Sequence, residues 1–209
     1  MKNNLYTLCY AAILGMACSV LLTATKNFTE PYRAANARAD EIRHILAALK
    51  VPLKADQPSK RLLDIFNRVV VKRELGDMVT YEYVPSGTQG RVEAIALRFS
   101  GPGLWGPIKG LLALESDAET IRGVTFYEHE ETPGLGGKIS SASFREQFEG
   151  KSIVNETGKF GIVIRKGDSQ LARNSVHGIT GATMTCNKVE AMLNTAIQAF
   201  IEAKDIHGQ

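Results

Sequence analysis

The residues with the most evident chemical use form the run Thr180-Gly181-Ala182-Thr183-Met184-Thr185, directly ahead of a C-terminal segment with helical periodicity. Backbone N–H groups in the first turn of a helix have no intrahelical partner, and the aligned peptide dipoles leave partial positive charge there. Such a position stabilises a phosphate group, and a glycine lets the backbone approach it closely. Threonine hydroxyls at a helix start also serve as plain N-caps. The residues alone leave both interpretations open.

Two further stretches are rich in glycine: Gly103-Leu104-Trp105-Gly106, and Glu130-Glu131-Thr132-Pro133-Gly134-Leu135-Gly136. Loops positioned by a rigid sheet are where ligand contacts usually lie. Pro-Gly and Gly-Gly pairs are equally typical of simple turns, and Trp105 could equally pack in the core. For these stretches too, the residues alone leave both interpretations open.

The hydrophobic pattern predicts helices at both ends of the chain and short strands between them. We expect helices over 33–51, 60–71 and 143–148 and after Thr183, with Ser59 as an N-cap, and strands over 79–84, 91–99, 108–115, 119–128 and 160–165. The residues expected to face inward from the first two helices are Ile42, Ile45, Leu46, Leu49, Leu62, Leu63, Ile65 and Phe66. The segregation of strands and helices predicts an α+β fold with a mainly antiparallel sheet flanked by helices.

The three glycine-containing stretches occur in the order found in the FMN-binding domain family, which the chain resembles over roughly Arg91 to Ile201. Thr-Gly-Ala-Thr followed by Met-Thr is similar to that family's flavinylation motif. The family includes the C subunit of the sodium-translocating NADH:quinone oxidoreductase and the G subunit of the Rnf complex. The motifs do not choose between these two branches.

The resemblance implies that FMN is joined through its phosphate to the hydroxyl of Thr183, by a phosphoester bond. The neighbouring residues of the implied site are Thr180, Gly181, Ala182 and Thr185, and the flavin ring is assigned to Leu104, Trp105, Thr132, Gly134 and Leu135. Glu131 could contact a ring edge or cap its own loop. A threonine hydroxyl is a weak nucleophile without an activating group, so the family's flavin transferase, with FAD and magnesium, is expected to make the bond.

The chain departs from the family pattern at one position. The family motif usually has Asp six residues before the acceptor threonine, and this chain has His177 there. If the transferase contacts that acid directly, attachment to this chain would be slow or would need a matched transferase. Cys186, where the family often has Ser, is expected to be a small buried residue of the helix.

The composition excludes several classes of function. The 209 residues carry a formal net charge of +3, with no basic stripe of the kind that binds nucleic acid. The three cysteines form no Cys-x-x-Cys pair, so metal ligation is not indicated. The chain lacks a Rossmann Gly-x-Gly-x-x-Gly unit, which argues against NADH binding. With these classes excluded, the resemblance implies an electron carrier with no catalytic residues and no substrate site of its own.

The N-terminus predicts a membrane segment. Residues 5–25 contain no charge and lie between Lys2 and Lys26, and about 20 apolar residues are enough to cross a bilayer. A cleaved signal peptide is the alternative. We predict a retained anchor over 1–26, a helical connecting region over 27–75 and the FMN-binding domain over 76–209. Lys26, Arg33 and Arg38 by themselves favour a cytoplasmic domain, whereas the resemblance implies the outer face of the inner membrane.

Together with the apolar N-terminus, the resemblance implies a single-pass, membrane-anchored subunit that relays electrons within an ion-translocating respiratory complex. Its expected partners are the other membrane subunits of an Rnf or sodium-pump complex, with a flavin transferase for maturation. Two alternatives stay open. One is a stand-alone extracytoplasmic flavin carrier that serves a reductase, and the other is an anchored binding or sensory module without flavin.

Overall fold

The computed structural model describes residues 2–53, 57–76, 78–167 and 170–207. The chain forms two compact units, Met1–Asp40 and Glu41–Gln209. Helix α1 covers Lys2–Ala48, so both predicted segments, 5–25 and 33–51, lie largely within it. In the described part of the chain, one stretch, Leu5–Glu30, is long and apolar enough to cross a membrane, with a mean hydropathy of 2.0 and no part buried. Its 26 residues extend over roughly 39 Å as a helix, more than the ~30 Å of a hydrocarbon core.

The second helix begins and ends differently from the prediction. Helix α2 covers Ser59–Val69, and its N-cap is Pro58, without a side-chain cap, so Ser59 does not have the capping role expected of it. Val70 and Val71 are extended and belong to strand β1, Val70–Leu75, which the sequence analysis did not predict. Two adjacent β-branched residues favour a strand once sheet partners are present. Leu63 is 39% exposed, contrary to expectation, whereas Leu62 and Phe66 are buried as expected.

Five strands form one antiparallel sheet in chain order. After β1 come β2 (Met78–Tyr83), β3 (Ala94–Pro102), β4 (Pro107–Glu115) and β5 (Ile121–Glu128). Each strand pairs with the next, from Val70 opposite Tyr83 to Lys109 opposite Glu128. This pairing confirms the predicted mainly antiparallel sheet. The strands are antiparallel because the connections are short enough for consecutive strands to fold back on each other.

Both faces of this sheet are covered, because alternate residues of each strand point to opposite sides. Ala94 and Ala96 belong to the core formed with the C-terminal end of α1 and with α2. Leu97 and Phe99, on the other face, belong to the larger core. The four residues predicted to face inward from the helix over 33–51 are all buried: Ile42, Ile45 and Leu46 in α1, and Leu49 directly after it.

The rest of the chain covers the face with the larger core. Helix α3 (Ala142–Arg145) and the following 3-10 turn, Glu146–Phe148, together occupy the predicted helix over 143–148. Strands β6 (Val163–Arg165) and β7 (Ser175–His177) form a parallel pair, of which the sequence predicted the first. Helix α4 covers Thr183–His207 and packs on β3, which brings the helix start near the β3–β4 turn.

Candidate functional site

The site is organised around the start of α4. Gly181 has a φ of +80°, a left-handed conformation that glycine adopts without strain, and it turns the chain from β7 into the helix. The Cys186 N–H donates to the Ala182 carbonyl at 3.0 Å, which closes the first helical turn. No acidic residue lies in this turn, so the partial positive charge of the helix start is not neutralised by a side chain of its own.

The three threonines of the Thr180–Thr185 run lie in different environments. Thr180 is exposed, Thr183 is half-buried and Thr185 is buried, with 1% exposure. Residues two apart on a helix point about 200° away from each other, because each residue turns the helix by about 100°. The Thr185 hydroxyl therefore faces the protein interior, while Thr183 lines a pocket at the surface.

Glu131 joins the three predicted stretches through its buried carboxylate, which is 4% exposed. Its Oε1 accepts a hydrogen bond from the Leu104 N–H at 2.6 Å and a longer one from the Trp105 N–H at 3.4 Å. Its Oε2 accepts from the Thr185 hydroxyl at 2.6 Å. One carboxylate thus links the β3–β4 turn, its own loop after β5 and the first turn of α4.

The glycines of the flanking loops make room for this carboxylate. A Cβ added to Gly136 would lie 2.6 Å from both Glu131 Oε2 and Thr185 Oγ1, and one added to Gly103 would collide with Glu131 Oε1. The turn itself is closed by the Gly103 N–H, which donates to the Gly106 carbonyl at 2.8 Å. The structure therefore gives a steric reason for glycine at these positions of the motifs.

Three apolar side chains of the predicted site are exposed at the surface. Leu104 is 43% exposed, Trp105 68% and Leu135 45%. Trp105 is consequently not a core residue, and its contact with a flavin ring stays a prediction. Leu135 lies against the Thr-Gly-Ala-Thr turn, since a Cβ on Gly181 would lie 3.1 Å from Leu135 Cδ2. Thr132 and Gly134 are exposed in the same loop, and neither lines the pocket beside Thr183.

The pocket beside Thr183 has a volume of about 240 Å³. Its lining residues are Ile164, Lys166, Gly167, Gly178, Ile179, Thr180, Gly181, Thr183, Cys186 and Asn187. The sequence analysis did not single out Lys166 or Asn187. Asn187 follows Thr183 by four residues, a helical spacing that signals a shared face. Lys166 reaches the pocket because β6 pairs with β7, and no local pattern indicated that pairing.

His177, which stands in place of the family's acid, is held at the edge of this pocket. Its main chain is bonded to the Gln147 side chain, which accepts from the His177 N–H at 3.0 Å and donates to its carbonyl at 3.3 Å. Its ring Nδ1 lies 3.0 Å from the Gly167 carbonyl, so this nitrogen carries a proton and donates. The imidazole therefore contacts the loop that follows β6.

Cys186 is buried under the turn, as expected. The Ile179 N–H donates to its sulfur at 3.3 Å. Burial raises the pKa of the Cys186 thiol above its ordinary value, although this hydrogen bond offsets part of the effect. The protonated thiol is a weak nucleophile, so Cys186 acts as a packing residue here.

The comparisons with known proteins point to one family. Residues 103–198 match the FMN-binding domain family. The C subunit of the Na⁺-translocating NADH-quinone reductase from Chlamydia trachomatis is 42% identical over 125 residues, which are 52% of this chain and 40% of that protein. The corresponding protein from Vibrio alginolyticus is 40% identical over 103 residues, which are 49% of this chain and 40% of that protein. The matched part of the chain thus spans less than half the length of these relatives.

Solved structures have the same fold. The crystal structure of Shewanella oneidensis NqrC superposes with a TM-score of 0.68 at 23% identity and covers 81% of this chain and 99% of that one. The C subunit of the Na⁺-translocating NADH-quinone reductase from Parabacteroides distasonis gives a TM-score of 0.67 at 24% identity, with coverages of 82% and 94%. This likeness confirms the predicted fold class.

Proposed function

Because residues 103–198 match the FMN-binding domain family, we propose that this protein is a membrane-anchored electron carrier with FMN bound covalently to Thr183. The carrier would be a subunit of a respiratory complex like the Na⁺-translocating NADH-quinone reductases of its relatives. Those relatives favour the sodium-pump branch over the Rnf branch. The observation that carries the proposal is the half-buried Thr183 at the start of α4, inside a pocket next to exposed apolar side chains.

The pocket fits the phosphate end of FMN. Thr183 offers a hydroxyl at a helix start, and Lys166 adds positive charge to the same pocket. Thr185 is a poor candidate for the attachment, because its hydroxyl is buried and already donates to Glu131. Thr180 is exposed and lines the same pocket, so it is the next candidate, and Thr183 differs from it in lying at the start of α4.

The flavin ring needs a flat apolar surface, and the chain offers one outside the pocket. A pocket of about 240 Å³ is smaller than the ~300–1,000 Å³ of sites that enclose a whole ligand of this size, so the ring would lie at the surface. Leu104 and Trp105 in the β3–β4 turn, Leu135 in the loop after β5 and Met184 in the first turn of α4 are exposed apolar residues of this region. FMN exchanges electrons singly or in pairs, and a ring at the surface suits exchange with neighbouring redox centres.

Attachment of the flavin requires a separate enzyme in this proposal. Within the described residues, no carboxylate or imidazole is hydrogen-bonded to the Thr183 hydroxyl, and no group of three or more metal-ligating side chains is present. An unactivated hydroxyl attacks a phosphate slowly. A flavin transferase would supply the base and the metal, and this chain would supply the acceptor.

The apolar stretch of α1 supports membrane anchoring. A helix over Leu5–Glu30 with no buried part is suited to a bilayer. We place the soluble domain on the outer face of the inner membrane, in contact with other membrane subunits. This placement keeps the flavin near the bilayer, where the redox centres of a membrane complex lie.

The test is intact-mass analysis of the full chain after coexpression with a flavin transferase, combined with in-gel flavin fluorescence. We expect a gain of one FMN less one water, mapped to the peptide with Thr183. Thr183→Val removes the hydroxyl at similar volume and should abolish the gain, while Thr183→Ser retains a hydroxyl and should keep it.

Each result has a distinct consequence. Flavin retained in Thr183→Val would make the acceptor assignment wrong and move it to Thr180. An unmodified wild-type mass, next to a control acceptor that is modified, would contradict the covalent-flavin proposal and favour the module without flavin, with His177 as the cause. Flavin without copurifying membrane subunits would favour the stand-alone carrier.

A further inference from the structure

Glu131 connects two parts of the site that are far apart in sequence. The Thr185 hydroxyl and the Glu131 carboxylate are separated by 54 positions, and their oxygens lie 2.6 Å apart. The other oxygen of the same carboxylate binds the Leu104 N–H at 2.6 Å. The turn that carries Trp105 is thereby tied to the helix turn that carries Thr183.

The carboxylate faces the protein and not the pocket. It is 4% exposed, its two oxygens both accept hydrogen bonds, and the backbone of Gly103 and Gly136 lies against it. A buried carboxylate is costly unless its hydrogen bonds are satisfied, and here donors from two separate loops satisfy it. These contacts are those of a structural tie, since the carboxylate is buried and does not line the pocket beside Thr183.

The position of Thr185 gives this tie a functional consequence. Thr183 and Thr185 lie in the same helical turn and point to opposite sides. The hydrogen bond to Glu131 holds Thr185 in place on the buried side of the helix. It therefore also sets the direction in which the Thr183 hydroxyl points from the opposite side. Fixing the Leu104 N–H places the neighbouring Trp105 relative to that direction.

We infer that Glu131 is a positioning residue, which sets the distance and angle between the attachment threonine and the apolar surface that receives the flavin ring. This inference rests on the proposed function. Glu131 is not among the residues that line the pocket beside Thr183, and it acts through Thr185 and through the backbone of the β3–β4 turn. A preorganised site of this kind needs such support, because a ligand attached by one flexible bond is otherwise free to rotate.

The experiment uses Trp105, the single tryptophan of the chain, as an internal probe. Time-resolved fluorescence anisotropy of the flavin-free full chain in detergent separates local motion of Trp105 from overall tumbling. We expect Glu131→Ala and Thr185→Val to shift anisotropy amplitude from the slow component to the nanosecond component. Thr185→Ser, which keeps the hydroxyl, should restore the wild-type decay.

Two further variants isolate the hydrogen bonds. Glu131→Gln keeps an oxygen for the Leu104 N–H and offers an amide donor to the Thr185 oxygen, so its decay should stay near wild type. Thr195→Val is the matched control, since Thr195 is an exposed threonine of the same helix that bonds locally, to the Ala191 carbonyl at 2.9 Å. It should leave the decay unchanged.

The flavin-loaded protein gives the second measurement. Glu131→Ala should still carry flavin on the intact Thr183, with lower steady-state anisotropy of flavin emission and an absorption spectrum shifted toward that of free FMN. Circular dichroism is the control for this measurement. A structural effect elsewhere in the fold would change the circular dichroism, whereas a local effect at the site would change only the flavin signals. If Glu131→Ala fails to fold, the comparison of Thr185→Val with Thr185→Ser decides the matter.

Unchanged Trp105 and flavin anisotropy in Thr185→Val would overturn the inference, and so would a Glu131→Gln decay equal to that of Glu131→Ala. Failure of the proposed function gives a different result. In that case the wild type carries no flavin, while the Trp105 decay in the flavin-free chain still reports whether Glu131 ties the two loops.

Discussion

Thr183 and Thr185 illustrate how two identical residues in one motif acquire different uses. The helix turns them to opposite sides, so one hydroxyl is buried against Glu131 and the other lines a pocket. The buried hydroxyl stabilises the helix start, and the accessible one is the proposed attachment point. Gly136 belongs to the same arrangement, because its missing side chain leaves the space in which Glu131 and Thr185 meet.

At this scale we predict that Gly136→Ala destabilises the domain and loosens the site. The added Cβ would lie 2.6 Å from two oxygens, so the Glu131–Thr185 hydrogen bond must lengthen or the loop must move. Overpacking of this kind costs about 1–3 kcal/mol. A thermal melt should show a decrease in Tm of about 2–4 °C for each kcal/mol. Lys138→Ala, at an exposed position of the 3-10 helix Gly136–Ser140 that also contains Gly136, is the control, and equal melting of all three proteins would contradict the prediction.

At the scale of elements, the β4–β5 hairpin shows how one side chain defines a turn. Asp117 Oδ1 accepts from the N–H groups of Glu119 at 2.9 Å and Thr120 at 2.8 Å, and Oδ2 accepts from the Thr120 hydroxyl at 2.6 Å. Burial by itself would raise the pKa of Asp117, but these hydrogen bonds outweigh it and hold the pKa below its ordinary value. The hairpin matters for the site because β4 begins directly after the turn that carries Trp105.

We therefore predict that Asp117 contributes stability at neutral pH that is lost on acidification. Its folded-state pKa is lowered, so the contribution is present above the unfolded value of about 3.9 and disappears as the pH falls through the folded value. Urea unfolding across this range should show that Asp117→Asn is less stable than wild type at neutral pH, with a difference that narrows below about pH 4.

Glu119→Gln, in the same turn, is the matched control for Asp117→Asn. The Glu119 backbone N–H takes part in the turn, whereas its side chain is exposed. A wild-type-like pH dependence is expected for this control. A constant stability difference between wild type and Asp117→Asn at all pH values would show that Asp117 acts without its charge.

At the scale of the whole molecule, an apolar helical stretch precedes an α+β domain that has its own two-sided core. The larger core lies between the sheet and α4, and it supports the helix start where the proposed flavin site lies. The sheet and α4 therefore form the rigid part on which the loops of the site depend.

We predict that the full chain fractionates with membranes and that a variant without residues 2–30 is soluble and keeps its fold. The N-terminal stretch exposes its apolar side chains, whereas the residues from Glu41 onward form a compact unit. Membrane fractionation, together with intact mass to show that the N-terminus is retained, tests this prediction. A mature protein that has lost these residues would instead indicate a cleaved signal peptide, and a C-terminal alkaline phosphatase fusion reports the side of the membrane.

The sequence by itself determined those features that depend on local patterns. Hydrophobic periodicity predicted the inward face of α1, most of the strands and the apolar N-terminal stretch, because burial of alternate or helically spaced residues is encoded within a few positions. The same patterns did not predict β1, and they wrongly predicted that Ser59 caps α2 and that Leu63 is buried. At those positions sheet partners and neighbouring elements outweigh local propensity.

The tertiary structure decided how the motifs act together. The sequence showed three separate stretches and left Glu131 with two possible uses and Trp105 with two possible locations. The fold brings Glu131 to Thr185 across 54 positions and leaves Trp105 exposed. It also adds Lys166 to the pocket through the parallel pairing of β6 and β7. Such contacts depend on which strands pair and which face a helix buries, and these are properties of the whole packed chain that no short segment carries.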